Sequence, residues 1–249
     1  MAMSQPAELV VIKPDWPAPA RVRAAQSTRL GGISQAPFDS LNLAVHSGDD
    51  RQLVAENRRL LAERLQLPAE PVWLQQVHGI EVVSAAERGA VADAVWADRP
   101  GQVCAILSAD CLPVLFCDFA GQVVAAAHAG WRGLAAGVLE ATIEAMQRPP
   151  AQLMAWLGPA IGAQAFEVGE EVRQQFLAVD ATASDCFQAT TNGRWLADLV
   201  ALAQLRLVRA GVTAIYGGEH CTVRQHELFY SYRREGRTGR MATLVWLDL

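Results

Sequence analysis

Three apolar segments follow one another closely in the stretch Val103-Cys-Ala-Ile-Leu-Ser-Ala-Asp-Cys-Leu-Pro-Val-Leu-Phe-Cys-Asp-Phe-Ala-Gly-Gln-Val-Val-Ala-Ala-Ala-His-Ala-Gly-Trp-Arg-Gly133. Segments 103–107, 114–116 and 123–127 are continuously apolar, which is typical of strands buried on both faces. Asp118-Phe-Ala-Gly121 has the composition of a hairpin turn between the second and third segments. This stretch therefore predicts the centre of a sheet that is covered on both sides.

Helices and strands alternate irregularly in the rest of the chain. Apolar spacing predicts helices from Asp49 or Asp50 to just before Pro68, and over 132–147, 168–179 and 196–210. Further strands are expected over 21–28, 72–74, 81–85, 153–157, 212–216 and 241–246. Because there is no strict βαβ rhythm, we expect an α+β (mixed α/β) fold of layered sheets and helices. Residues 1–19 are interpreted as an N-terminal arm and 20–249 as a single domain.

The composition excludes several classes of protein. The chain has 249 residues, 51% hydrophobic and 19% charged, which is enough for a full core. Its net charge of −5 offers no attraction to a nucleic-acid backbone, and no apolar run approaches the roughly 18 residues that span a bilayer. The first 19 residues lack the apolar region of a signal peptide, and the odd count of five cysteines favours reduced thiols. We therefore expect a cytoplasmic protein without nucleic-acid or membrane partners.

Two of the predicted strand ends carry side chains that bind metals. Cys111 lies at a loop mouth, just before Pro113, and His128 lies where a strand gives way to Gly130 and a helix. A second imidazole, His78, occupies the turn Gln76-Val-His-Gly79. Thiolate and imidazole suit zinc and also copper, and three protein ligands leave a fourth position open, as in catalytic zinc sites.

Each of these residues also has a simpler interpretation. A cysteine between apolar strands is usually a small core residue, which is how we interpret Cys104 and Cys117. His128 alone fits a hydrogen-bonded core histidine equally well, and His78 alone fits an exposed turn residue. The combination predicts a metal centre, and separations of 33 residues (78 to 111) and 17 residues (111 to 128) match no compact zinc finger.

Long motifs are spread over the chain from about residue 20 to its end. They are Thr28-Arg-Leu-Gly-Gly-Ile-Ser34, Phe38-Asp-Ser-Leu-Asn-Leu43, His46-Ser-Gly-Asp-Asp50, Gln76-Val-His-Gly79, Ala109-Asp-Cys-Leu-Pro-Val114, Ala127-His-Ala-Gly-Trp-Arg-Gly133, Leu157-Gly-Pro-Ala-Ile-Gly162, Phe166-Glu-Val-Gly169, Ser231-Tyr-Arg-Arg-Glu235 and Thr238-Gly-Arg-Met-Ala242. Together they resemble the YfiH family, also called DUF152 or the multicopper polyphenol oxidase-like (laccase-domain) family. The resemblance implies one catalytic domain of layered sheets and helices over 20–249. It also implies metal ligands at His78, Cys111 and His128.

The resemblance implies more than one activity. Members have been described as polyphenol oxidases, and as purine nucleoside phosphorylases with adenosine deaminase side activity. A multicopper oxidase needs several copper centres, and five histidines are too few to build them. A single open zinc supports Lewis-acid chemistry or activation of water. We therefore predict a zinc enzyme, with Cu²⁺ as the alternative ion, that acts on a purine nucleoside and phosphate and deaminates adenosine as a side activity.

Phosphorolysis also needs a site for phosphate. Arg29 beside Gly31 and Arg132 at a helix start are candidates, because glycine loops and helix starts present free N–H groups to anions. His46 is a candidate for the pocket wall. Structural ion pairs would explain the two arginines equally well, and a loop-stabilising hydrogen bond would explain His46. The arginine-rich segment 231–240 fits either a rim for an anionic substrate or a solvated turn.

Other classes of function remain open. Cys111 would serve as a thiolate nucleophile with His128 as its base in a metal-independent cysteine hydrolase, such as one that edits peptidoglycan precursors. That mechanism gives His78 no direct role, which separates it from the metal hypothesis. A copper-dependent polyphenol oxidase is the redox alternative. A non-catalytic sensor would bind metal or nucleoside tightly without turnover.

Overall fold

Strands and helices are interleaved along residues 8–248, the part of the chain that the computed structural model describes. The strands are β1 (Val11–Ile12), β2 (Val22–Ser27), β3 (Val82–Ser84), β4 (Ala94–Ala97), β5 (Val103–Ser108), β6 (Leu112–Asp118), β7 (Val124–Ala129), β8 (Leu153–Leu157), β9 (Glu167–Val168), β10 (Phe187–Ala189), β11 (Trp195–Ala197), β12 (Ala214–Gly217) and β13 (Met241–Leu247). The helices are α1 (Arg51–Leu65), α2 (Trp131–Ala136), α3 (Val138–Ala145), α4 (Glu170–Leu177), α5 (Leu199–Arg209) and α6 (Tyr232–Glu235).

Two sheets pack face to face between layers of helices. One sheet has the strand order β1-β2-β13-β5 and the other β12-β8-β6-β7-β4-β3, while β10-β11-β9 form a small third sheet. Apolar side chains of the two larger sheets share one core, for example Ile106 of β5, Leu115 of β6 and Val245 of β13. Helices α2 to α5 cover the outer face of the six-stranded sheet, and α1 covers the outer face of the four-stranded sheet. This architecture confirms the predicted mixed α/β fold of layered sheets and helices.

The central strands β5, β6 and β7 are buried along their whole length, as their continuous apolar character predicts. Strand β6 pairs antiparallel with both β7 and β8, whereas β12 runs parallel to β8 and β3 parallel to β4. The six-stranded sheet therefore contains both parallel and antiparallel strand pairs, in agreement with the absence of a βαβ rhythm in the sequence. Strand β4, which pairs with β7, is not predicted by the sequence.

The prediction of one long helix over 132–147 is wrong in one respect, because the structure divides this helix at Gly137. This glycine has φ 108°, a conformation that other residues rarely adopt, so α2 ends there and α3 begins. The helix predicted over 196–210 begins only at Leu199, because the preceding residues Trp195–Ala197 form strand β11, which pairs with β9 and β10. The Asp198 side chain then caps α5 by accepting the Ala201 N–H at 2.9 Å.

Three other predictions are corrected or limited. The helix predicted over 168–179 begins at Glu170, because Glu167–Val168 pairs with β11. Residues 72–74 form no extended strand but only a single bridge, from Val72 to Cys104. In the predicted arm over 1–19, residues 1–7 lie outside the described part, and Val11–Ile12 pairs with the edge of β2. None of the helices within 8–248 has the length and apolar character needed to cross a membrane.

Candidate metal centre

His78, Cys111 and His128 come together at one end of the two packed sheets. Their ligand atoms all lie within 4.8 Å of one another. The Cys111 Sγ atom is 3.7 Å from His78 Nε2, and the two imidazole rings meet edge to face. Two imidazole nitrogens and a thiolate form a donor set that fits zinc or copper, so the residues present are able to hold such an ion.

The register of β6 and β7 places two of these side chains. Successive side chains of a strand point to opposite faces. In β7, Val124 and Ala126 face the four-stranded sheet, so His128 faces it as well. Pro113 of β6 lies opposite His128, and Cys111 precedes β6 two residues before Pro113. The thiol and the imidazole therefore project from neighbouring strand ends toward the gap between the sheets.

The third side chain is held by a turn that is tied to β5. The Gln76 side-chain amide donates to the Leu107 carbonyl at 2.8 Å and accepts the Leu107 N–H at 2.9 Å, as a paired strand would. His78 follows with φ 63°, which is uncommon for a residue other than glycine. The turn thus holds His78 over the ends of the strands.

Asp93 is the site residue that the sequence analysis missed. Its side chain is fully buried just before β4, and it accepts the His128 Nδ1–H at 2.8 Å. It also accepts the backbone N–H groups of Val77, His78 and Gly79 at 3.1, 2.9 and 2.7 Å. The signal was present in the sequence, because a carboxylate inside the apolar run 91–95 must find polar partners if the run is buried.

Gly130 allows the side chains of His78, Cys111 and His128 to approach one another. A Cβ atom built on this residue would lie 3.0 Å from Cys111 Sγ and 2.9 Å from His78 Cδ2. Both distances are shorter than ordinary contacts of about 3.5–4.0 Å. Only glycine therefore leaves room for the three side chains in this arrangement.

The close grouping shifts the ionisation of the thiol and the imidazole. Burial on its own raises the pKa of Cys111, but the charge and hydrogen bond of His128, assisted by His78, lower it to about 6. Burial on its own lowers the pKa of His128, but Cys111 and Asp93 raise it to about 9. Burial raises the pKa of Cys104 and Cys117 instead, in keeping with their interpretation as core residues. Cys111 is thus the thiol whose environment favours the thiolate.

A cavity of about 590 Å³ opens over the three residues, a size typical of small-molecule sites. The aromatic side chains of Trp131, Phe166 and Tyr232 contribute to its wall. Its other lining residues are His46, Gln76, His78, Leu107, Ser108, Ala109, Asp110, Cys111, His128, Arg132, Ile161, Leu199, Arg233 and Arg240. Of the predicted substrate-binding residues, His46 and Arg132 therefore lie at the cavity.

Three guanidinium groups line the cavity, and none of them forms an ion pair with a carboxylate among residues 8–248. Arg132 packs over the Trp131 ring. Arg233 donates to the carbonyls of residues 165 and 167, and Arg240 to those of residues 238 and 239. These neutral acceptors hold the side chains without cancelling their charge. The arginine-rich segment 231–240 thus contributes Arg233 and Arg240 to the cavity, and its first part forms the short helix α6.

The structure places Arg29 outside this cavity. Its guanidinium pairs with Glu235 at 2.9 Å and with Asp39 at 3.3 Å, and it stacks on the Tyr230 ring. Arg234 also pairs with Glu235, at 2.8 Å. These two arginines are thus neutralised by carboxylates, unlike the three that face the cavity. A substrate-binding role for Arg29 stays a prediction.

Fold and site together define a class: a layered mixed α/β protein with a His-Cys-His group under a cavity lined by aromatic and cationic side chains. The chain belongs to the YfiH (DUF152) family, as its motifs predict. The family profile described as "Multi-copper polyphenol oxidoreductase laccase" matches residues 23–248.

Relatives and solved structures of high similarity support this membership. A Pseudomonas aeruginosa protein named purine nucleoside phosphorylase is 58% identical over 239 residues, which cover 95% of this chain and 98% of the relative. The Escherichia coli purine nucleoside phosphorylase YfiH is 53% identical over 243 residues, with coverage of 95% and 98%. The crystal structure of a DUF152 protein from Neisseria meningitidis superposes with a TM-score of 0.93 at 51% identity, covering 96% and 99% of the two chains. YlmD from Geobacillus stearothermophilus gives a TM-score of 0.91 at 31% identity, with coverage of 98% and 100%.

Proposed function

We propose that the protein is a zinc-dependent purine nucleoside phosphorylase that splits adenosine and inosine, with deamination of adenosine as a side activity. One observation carries the proposal: the His78-Cys111-His128 group and three unpaired guanidinium groups share a single cavity. A metal centre and three positive charges at one cavity suit a reaction between a nucleoside and phosphate. The names of the Pseudomonas and Escherichia relatives support the same substrate class.

In phosphorolysis, the metal-binding side chains and the arginines of the cavity have separate tasks. An oxygen of phosphate forms a bond to C1′ of the ribose while the C1′–N9 bond breaks. The bonding pair goes to the purine, which takes up a proton, so the products are the free base and ribose 1-phosphate. A zinc ion held by the three ligands would supply Lewis-acid activation at its open position. Arg132, Arg233 and Arg240 bind the phosphate, since guanidinium groups match its charge and geometry.

The aromatic side chains of the cavity, each of which lies beside one of the three arginines, fit the nucleoside. Trp131, Phe166 and Tyr232 offer flat apolar surfaces against which a purine ring packs. Deamination of the same bound nucleoside requires water to add at C6 of adenosine and ammonia to leave, which gives inosine. A zinc ion held by the three side chains would supply the activation of water for that step, which needs no phosphate. The five cysteine thiols are unpaired, which supports the reducing cytoplasm as the compartment for this activity.

The test combines metal analysis with product analysis. Protein purified without chelator or affinity metal is analysed for its metals, and then incubated with adenosine or inosine in the presence and absence of phosphate. About one zinc per chain and a release of free base that requires phosphate is the expected result. Conversion of adenosine to inosine at the same rate with and without phosphate would show the side activity. Zinc-loaded protein that releases no base from either nucleoside would overturn the proposal.

A second candidate function is favoured by one specific observation. A ring nitrogen of His128 lies within 4.8 Å of Cys111 Sγ, and this imidazole bonds the buried Asp93 carboxylate. Thiol, imidazole and carboxylate are also the order of groups in a cysteine hydrolase. In that mechanism the thiolate attacks a carbonyl and no metal takes part. His78→Gln distinguishes the two functions, because it removes a zinc ligand but leaves the Cys111-His128-Asp93 chain intact. A hydrolase would keep its activity in this variant, and the zinc enzyme would lose both metal and turnover.

A further inference from the structure

We infer that Asp93 is a positioning residue for the metal centre, which fixes the tautomer of His128 and the turn that carries His78 at the same time. The inference rests on the metal site of the proposed function but on no particular reaction. Its basis is the division of four hydrogen bonds between the two oxygens of one fully buried carboxylate. Through these bonds a single side chain controls two of the three ligands.

Each carboxylate oxygen accepts two N–H groups. Oδ1 accepts the His78 backbone N–H and the His128 Nδ1–H, at 2.9 and 2.8 Å. Oδ2 accepts the backbone N–H groups of Val77 and Gly79, at 3.1 and 2.7 Å. An ionised carboxylate accepts at both oxygens and donates at neither, so it satisfies all four donors. No other common side chain of this size does the same.

The hydrogen bond to His128 decides which ring nitrogen is free to bind metal. Because the carboxylate has no proton to give, Nδ1 of His128 must carry the hydrogen. The lone pair of the neutral ring is then on Nε2, the nitrogen left to serve as the ligand atom beside Cys111. Asp93 therefore presents His128 in the one neutral form that is able to coordinate through this atom.

The turn depends on the same carboxylate. His78 has φ 63°, a conformation that costs energy for a residue with a Cβ atom. Three consecutive backbone N–H groups, those of residues 77 to 79, converge on Asp93 and hold this conformation. The carboxylate thus sets the position of His78 as well as the tautomer of His128.

Asparagine is the sharpest test because it has the same shape but one acceptor. If its oxygen faces Val77 and Gly79, its NH₂ group points at His78 N–H and His128. His128 must then accept at Nδ1 and carry its hydrogen on Nε2, which blocks coordination. If the oxygen faces His78 and His128 instead, the NH₂ group opposes the other two N–H groups and the turn is disrupted. Either orientation weakens the metal centre.

Asp118→Asn is the matched control. The Asp118 side chain is also nearly fully buried and also accepts two backbone N–H groups, from Gln122 and Val123 at 2.6 and 3.0 Å. It lies at the β6–β7 turn, with Arg148 as its ion-pair partner at 3.8 Å, and contacts none of the metal ligands. Its substitution therefore reports the general cost of removing a buried carboxylate.

The experiment measures zinc affinity by competition with a chromogenic chelator, for the full chain and for both variants. Folding is checked by circular dichroism. Asp93→Asn is expected to lower the zinc affinity about 10- to 100-fold, the usual effect of losing such a partner, and Asp118→Asn to change it about threefold or less. Asp93→Asn that is folded and binds zinc with wild-type affinity would overturn the inference. So would equal losses of affinity in the two variants.

A second measurement needs no variant, in case Asp93→Asn does not fold. Long-range ¹H–¹⁵N spectra of the zinc-loaded wild-type protein are expected to show His128 with its hydrogen on Nδ1 and its metal bond at Nε2. The opposite assignment would refute the inference. Zinc binding without nucleoside turnover would remove the proposed reaction and leave this inference standing. A wild-type chain that takes up no zinc would remove the inference.

Discussion

Gly130→Ala is predicted to weaken the metal centre while leaving the fold intact. The added Cβ atom would lie 3.0 Å from Cys111 Sγ and 2.9 Å from His78 Cδ2. Contacts of this kind are ordinarily about 3.5–4.0 Å, so each ligand must retreat by about half an ångström. Metal–ligand distances tolerate changes of only about 0.2 Å. His78, Cys111 and His128 therefore cannot keep their arrangement around one ion.

The expected size of the effect follows from these distances. A displacement of two ligands by more than the tolerance of the site should cost zinc affinity about 10- to 100-fold, like the loss of a supporting hydrogen bond. The backbone itself accepts alanine, because Gly130 has φ −61°. Losing a glycine N-cap and reducing the freedom of the unfolded chain have opposite signs, so the metal-free stability should change by no more than about 1 kcal/mol.

The assay is zinc competition together with thermal unfolding of the metal-free protein, and Gly79→Ala is the control. A Cβ atom on Gly79 would meet only ordinary contacts, the shortest being 3.5 Å to Asp93, and the backbone N–H that bonds Asp93 is retained. We expect the control to stay within about threefold of the wild-type affinity, well short of the loss in Gly130→Ala. If Gly130→Ala binds zinc as tightly as the wild type, the ion does not lie between Cys111 and His78, and the assignment of the site is refuted.

The remaining predictions concern the other thiols, the phosphate and the metal. Cys104→Ala and Cys117→Ala should each lose about 0.5–3 kcal/mol of stability and keep stoichiometric zinc, whereas Cys111→Ala should lose zinc and turnover; equal metal loss in all three by elemental analysis would mean that the wrong thiol was chosen. Arg240→Gln should raise the KM for phosphate about ten- to a hundredfold with little change for the nucleoside, and the same effect in Arg237→Gln, outside the cavity, would contradict this phosphate site. Zinc at about 100 times its Kd should stabilise the wild type by about 2.7 kcal/mol in thermal unfolding but not Cys111→Ala; an equal gain in that variant would place the ion elsewhere.

The sequence predicted the layers of the fold better than the ends of its elements. Continuous apolar runs identify β5, β6 and β7 because burial on both faces leaves no room for polar residues. The division of one helix at Gly137 was missed, since apolar spacing continues across it and only the positive φ shows the break. Strand β4 was missed because its sequence, Ala94-Val-Trp-Ala97, is too short to show an alternation of apolar and polar residues.

The candidate site, like the fold, has parts that could be predicted from the sequence and parts that could not. Its three candidate ligands could be found because one cysteine and two histidines beside strand-breaking residues together form a donor set that suits zinc, although each residue alone has a simpler interpretation. The role of Asp93 depends on contacts with residues 14 to 16 positions earlier and 35 later, and no local pattern specifies those distances. Arg233 and Arg240 could not be told from Arg234, because only the fold shows which of them meets Glu235.

The number of available imidazoles bears on the choice between copper and zinc. Reduction of oxygen by a multicopper oxidase needs several copper ions, and each centre needs ligands of its own. The chain has five histidines, and two of them belong to the His78-Cys111-His128 group. Of the other three, His46 lines the cavity, His220 bonds Gln225 and His226 bonds Glu227. Among residues 8–248, none of these three belongs to a second group of three metal-binding side chains. One three-ligand centre beside unpaired arginines therefore favours Lewis-acid chemistry on an anionic co-substrate over electron transfer through several metals. This preference differs from the family description, which refers to a multi-copper oxidoreductase.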